Sequence, residues 1–178
     1  MEENVTAASA STGAAAASSG AVSGAHTVDG RPRGRTSLTP HIVVSPAAAA
    51  LDFYAEVFGA RVEGVTRFGD IVAHAELEFA SGALTLSDPI EAYGLVAPDP
   101  ERVVYSLALY VPDADAVFAG AVERGATVRE PLADFVSGDR FASVVDPFGV
   151  RWTLMTRVED ISPEESRRRV EEWAATQQ

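Results

Sequence analysis

Leu38-Thr39-Pro40-His41-Ile42-Val43-Val44-Ser45-Pro46-Ala47-Ala48-Ala49-Ala50-Leu51-Asp52-Phe53-Tyr54-Ala55-Glu56-Val57-Phe58-Gly59 is where the chain first reads as folded. Its opening is a short β-branched run, which favours pleated backbone, and it stops at Ser45-Pro46. Ser45 suits a helix N-cap and Pro46 the first helical position, where a missing N–H costs nothing. Ala48, Leu51, Phe53, Tyr54 and Phe58 then recur at helical spacing until Gly59, a residue that ends helices in the left-handed conformation. The reading is a strand followed by a helix over Pro46 to Phe58.

Downstream, Arg61 to Arg67 reads as a strand and Phe68-Gly69-Asp70 as a turn. Ile71 to Phe79 alternates Ala73, Ala75, Leu77 and Phe79 with His74, Glu76 and Glu78, so one face is apolar and the other ionisable. Ser81-Gly82 turns the chain into Ala83 to Ser87, which alternates Leu84 and Leu86 with Thr85 and Ser87. The unit is β, α, β, β, β.

The same order begins again after a Gly- and Pro-bearing linker over residues 89–102. Val103 to Val111 is a strand, Pro112 stands where Pro46 stood, and Pro112 to Arg124 is the second helix. Phe58-Gly59-Ala60-Arg61-Val62 is echoed by Arg124-Gly125-Ala126-Thr127-Val128. Strands near Arg129 to Phe135 and Arg140 to Val145, the turn Asp146-Pro147-Phe148-Gly149 and a last strand from Val150 to Thr156 complete the repeat. Asp146 to Gly149 needs no chemistry to explain it: Pro147 supplies a fixed φ and Gly149 tolerance of positive φ. Beyond it, Ser162-Pro163-Glu164-Glu165 combines an N-cap, a proline at N1 and early acids, and predicts a surface helix from Pro163 to about Ala175 within an appendage of residues 158–178. Residues 1–36, nearly all Ala, Ser, Gly, Thr and Val, read as a disordered tail carrying an inert His26.

Composition narrows the function. The chain has 178 residues, a formal net charge of −12 and a sequence pI near 4.6, so it would repel a phosphate backbone; no nucleic acid is expected as a partner. It contains no cysteine, which removes disulfides, thiolate metal sites and a cysteine nucleophile. No run is long and apolar enough for a membrane span, and Met1-Glu2-Glu3 carries the wrong charge for a signal peptide, so no membrane partner and a cytoplasmic location are expected. Phosphate-binding glycine loops, G-x-S-x-G elbows and H-E-x-x-H are absent.

The two βαβββ modules, residues 38–88 and 103–157, together with Leu51-Asp52-Phe53-Tyr54…Phe58-Gly59-Ala60 and Gly138-Asp139-Arg140-Phe141…Asp146-Pro147-Phe148-Gly149…Trp152, resemble the vicinal oxygen chelate superfamily, in particular its PhnB-like glyoxalase and bleomycin-resistance branch. The resemblance covers about Leu38 to Arg157 and implies an α+β domain over residues 37–157. In it, the modules build a curved eight-stranded mixed sheet with a small-molecule cup on the concave face and the helices outside. It also implies a capacity to pair as a homodimer.

Metal-dependent members carry ligands on the first and last strand of each module, typically His or Gln on the first and Glu on the last. By that resemblance His41 matches the first position. Its repeat mate, placed from Pro46 and Pro112, is Leu107, which has no donor atom. The last-strand positions fall on Thr153 and, by alternation, Thr85. One good donor among four positions falls short of what a divalent ion needs, so no metal cofactor is expected and the cup is read as a binding site for a small organic ligand.

If Thr153 faces the cup, so does Arg151, whose guanidinium would favour an anionic ligand or, more blandly, form a rim salt bridge. Tyr105, Leu107 and Leu109 supply an aromatic and apolar wall or ordinary core. The ligand-binding set is then His41, Thr85, Tyr105, Leu107, Leu109, Arg151 and Thr153. Trp152 and Phe53 read as packing residues. A second function is an enzyme of glyoxalase, lyase or dioxygenase kind, in which His41, His74 and Glu76 move protons or form a displaced divalent-metal site; against it stands a solvated Glu76. A third is a scaffold acting through its arginine-tipped tail or last helix.

Overall fold

The computed structural model describes residues 21, 23–99 and 101–177. Two compact units divide the chain, residues 1–37 and 38–178. In the first, β1 (Thr27–Val28) pairs antiparallel with β2 (Arg31–Pro32). The expectation of a disordered start falls mostly on residues outside those described.

The second unit carries the paired modules. Module one is β3 (His41–Val43), α1 (Ala47–Phe58), β4 (Arg61–Phe68), β5 (Ile71–Glu78) and β6 (Ala83–Ser87); module two is β7 (Ser106–Tyr110), α2 (Ala114–Glu123), β8 (Thr127–Phe135), β9 (Asp139–Val145) and β10 (Arg151–Arg157). Each forms a mixed sheet of four strands in the order first, last, third, second: β3-β6-β5-β4 and β7-β10-β9-β8. The first and last strands run parallel, and the helix between first and second makes the crossover such pairing requires. α3 (Pro163–Ala175) follows, with the Ser162 hydroxyl accepting from the Glu165 N–H as a cap.

The expected single sheet of eight strands resolves into these two halves, because no ladder joins the edge strands β3 and β7. Side chains fill that seam instead. Pro40, Leu84, Leu107, Leu109 and Trp152 border a space of about 140 Å³ there. Above it, α1 crosses from its own module onto the other: Tyr54 and Phe58 lie 5.4 and 4.7 Å from Trp152 between ring centroids, and Phe53 lies 5.9 Å from Phe148. Trp152 is 2% exposed. Aromatic burial of this extent welds the modules into one core.

Helix ends follow two rules, only one of them local. Gly59 closes α1 at φ 67°, as its lack of a Cβ allows. At the other end Ser45 caps nothing. Pro46 is the N-cap, and the acceptor comes from Asp88, just past β6, which takes the Ala47 N–H at 2.9 Å and the Val72 N–H at 2.8 Å. Module two repeats the device with Thr156, whose hydroxyl accepts from Ala114 N–H at 2.8 Å, while Asp113 caps α2 through Ala116 N–H. A β-bulge between β4 and β5, where Thr66 opposes His74 but Arg67 opposes Val72, also shifts one expected core position. Val72, not Ala73, is fully buried.

Candidate functional site

The faces of the strands decide which side chains can meet a ligand. On β6, Leu84 and Leu86 are buried at 4% and 0% exposure, which leaves Thr85 on the opposite face. On β10, Trp152 and Leu154 enter the core, and Arg151, Thr153 and Met155 face away from it. Both assignments agree with the period-two reading.

The assignment on β7 requires correction. Leu107 pairs with Trp152 and Leu109 with Leu154, so both belong to the core face and not to the ligand side. Ser106, Ala108 and Tyr110 occupy the other face, opposite Arg151, Thr153 and Met155. The physical cause is a single residue. The N-cap of α2 is Asp113, so Asp113, and not Pro112, corresponds to Pro46, and one step of register turns every side chain of a strand over. The true mate of His41 is therefore Ala108, which also lacks a donor atom.

His41 is already engaged. Its Nδ1 lies 2.8 Å from the Thr85 hydroxyl and its Nε2 3.3 Å from the Ser87 hydroxyl. Burial, and then the neighbouring His74, lowers its pKa, so the imidazole is neutral at neutral pH. His74 stacks on it at 6.0 Å with an interplanar angle of 2°. Glu76 lies on the same face, with Oε1 3.8 Å from His74 Nε2. His41, His74 and Glu76 thus share a surface, but among the described residues no group of three His, Asp or Glu side chains is placed to hold a metal ion. At the superfamily's four ligand positions stand His41, Thr85, Ala108 and Thr153, with Thr85 spent on His41 and Thr153 3.4 Å from the Ser106 hydroxyl. This set does not fit a divalent cation.

Three of the expected ligand residues do come together. His41, Tyr105 and Arg151 line a cavity of about 470 Å³ between β3, the linker and the start of β10, a volume within the ordinary range for small-molecule sites. Arg151 borders the cavity and forms the expected salt bridge: its Nε and Nη2 donate to Ser143 Oγ at 2.9 Å and Glu130 Oε2 at 2.7 Å. Thr85 reaches the cavity only through His41, and Thr153 is not among its walls.

Most of the remaining walls come from the chain between the modules. Val96 to Asp99 and Arg102 lie in the linker, and Val103 and Val104, expected in the strand, precede its actual start at Ser106; all of them border the cavity. The sequence marks Asp146 as a turn residue. It is indeed the turn, yet it is 3% exposed and accepts four hydrogen bonds: from Tyr54 Oη (2.7 Å), Trp152 Nε1 (2.9 Å), and the Phe148 and Val150 N–H groups (2.9 Å each). Burial nevertheless holds its carboxyl above the usual range, and drives the Tyr54 phenol well above its ordinary value.

Paired βαβββ modules, a cavity between them and the Asp146 carboxylate buried at their junction have the architecture of a vicinal-oxygen-chelate-type domain. The family model described as "Glyoxalase/Bleomycin resistance protein/Dioxygenase superfamily" matches residues 33–154, and the chain belongs to that superfamily. Uncharacterised proteins of Mycobacterium bovis and Mycobacterium tuberculosis are each 36% identical over 137 residues, which is 72% of this chain and 88% and 79% of theirs. Among solved structures, protein PA1353 from Pseudomonas aeruginosa superposes with a TM-score of 0.59 at 25% identity, over 68% of this chain and 98% of that one. A PhnB protein from Bacillus cereus superposes at 0.55 with 18% identity, over 68% and 99%, and shows the shared fold.

Proposed function

We propose that the chain binds a small organic molecule in the cavity between its modules and that it does so without a metal. The observation that carries this reading is the state of His41. Both of its ring nitrogens are within hydrogen-bond distance of hydroxyls, and the three positions that would complete an ion's coordination hold Thr85, Ala108 and Thr153. A threonine hydroxyl serves well as a hydrogen-bond partner and poorly as a ligand of Zn²⁺ or a similar ion. Apolar walls from Val43, Val103 and Val104, with convergent polar groups from His41, Tyr105 and Arg151, have the composition of an organic-ligand site.

Metal analysis of purified protein, beside thermal melts with added nickel, zinc, iron and manganese, tests the reading. The expected result is protein without stoichiometric metal whose melting temperature ignores all four ions. A bound ion, or an upward shift of several degrees that His41→Ala abolishes, overturns it in favour of a metal-dependent enzyme.

A further inference from the structure

The cavity's charge does not match the rest of the chain. The protein carries a net charge of −12, yet two arginines, Arg102 and Arg151, border the cavity against one acidic residue, Asp99; Arg151 brings its own counter-charge in Glu130, so Arg102 is the cation without a carboxylate partner among the described residues. His41, held neutral, adds no charge. Asp99 Oδ1 accepts the Glu101 N–H at 2.9 Å, a turn contact that occupies one of its two oxygens.

The two arginines differ in a useful way. Arg151 is fixed by Ser143 and Glu130 through Nε and Nη2, which leaves both hydrogens of Nη1 uncommitted. Arg102 makes no side-chain hydrogen bond or ion pair among the described residues, although acidic side chains outnumber basic ones in this chain by 26 to 14. A guanidinium left without a carboxylate beside an apolar wall is an anion receptor in waiting, since its planar fork matches a carboxylate or sulfonate. Tyr105 also borders the cavity, with its phenol raised by burial and then by the charge of Asp146.

Resting on the binding-site reading above, we infer that the cavity selects an apolar organic anion, a carboxylate or sulfonate on a hydrophobic body, with Arg102 as the residue that closes on the anionic group. Valines and Pro98 receive the body, and Arg102 and Arg151 the charge.

Two probes with the same body separate the claims: 8-anilinonaphthalene-1-sulfonate and its uncharged parent N-phenyl-1-naphthylamine, titrated by fluorescence into the full chain. The sulfonate is expected to bind about tenfold more tightly than the parent, the scale of one charge-assisted hydrogen bond. Arg102→Gln should weaken the sulfonate several-fold more than the parent, and Arg102→Lys should restore part of the difference. Trp173→Ala, in the groove under α3, should alter neither probe. Equal binding of both probes by the wild type, or an equal loss of both in Arg102→Gln, overturns the anion preference and leaves the binding site standing. No saturable binding of either probe overturns the site itself.

Discussion

Replacing Asp146 with alanine is expected to lower the unfolding free energy by about 4 kcal/mol, because it strands several buried donors at about 1–3 kcal/mol each. For a domain of this size that is a drop of roughly 10 °C in melting temperature. The donors are two backbone N–H groups of the turn, the Tyr54 hydroxyl of α1 and the Trp152 indole of β10. Three separated segments therefore lose a common anchor at once. Asp146→Asn should cost less, since its amide oxygen can still take two donors while its NH₂ faces the others. Tyr54→Phe should be milder again, with three of the four donors kept. Chemical denaturation of the three variants checks the order, and a loss below about 1 kcal/mol for Asp146→Ala would show that water replaces the carboxylate there.

Asp88 carries the second large effect. Its two oxygens take the first N–H of α1 and the N–H of Val72 on β5, so Asp88→Ala is expected to cost about 2 kcal/mol, near the upper end for a lost cap. The corresponding change in module two, Thr156→Val, removes one such acceptor and should cost about 1 kcal/mol. Amide hydrogen exchange gives a residue-level readout. Asp88→Ala should accelerate exchange at Ala47 and Val72 together; acceleration at Ala47 alone would mean that β5 does not depend on this carboxylate.

Most of the architecture was open to a reading of periodicity. Leu84 and Leu86 on β6, Trp152 and Leu154 on β10, and the glycine that ends α1 all act through short-range geometry: alternation of a strand, or a left-handed residue that only glycine adopts cheaply. The failures lie at the two helix starts and have different causes, one a distant acceptor and the other a one-residue offset. Ser45 and Pro46 look like a self-contained helix start, but the acceptor that completes the start lies on Asp88. Pro46 and Pro112 look equivalent, yet the extra residue before α2 makes Asp113 the cap and turns Leu107 and Leu109 into the core. No local pattern reveals which of two neighbouring residues is the cap when both sequences supply a proline.

The site was legible in the same proportion. His41 and Arg151 could be singled out by chemistry and strand face, and Tyr105 by its place beside them. What the sequence does not show is that the linker forms a wall, since Val96 to Asp99 and Arg102 have no period, and Val103 and Val104 look like strand although the strand starts only at Ser106. The same holds for the hydroxyls on His41. Thr85 is across a ladder rung from it, but Ser87 approaches its other nitrogen from further along β6.

A ligand seated in the cavity between the modules would perturb a defined set of residues. Amide chemical-shift mapping of isotopically labelled full-length protein titrated with 8-anilinonaphthalene-1-sulfonate tests that seating most directly. Saturable shifts are expected, centred on Val43, Arg102 to Tyr105, Gly149 and Arg151. Shifts centred instead on Phe135, Val136 and Trp173, in the groove under α3, would contradict it.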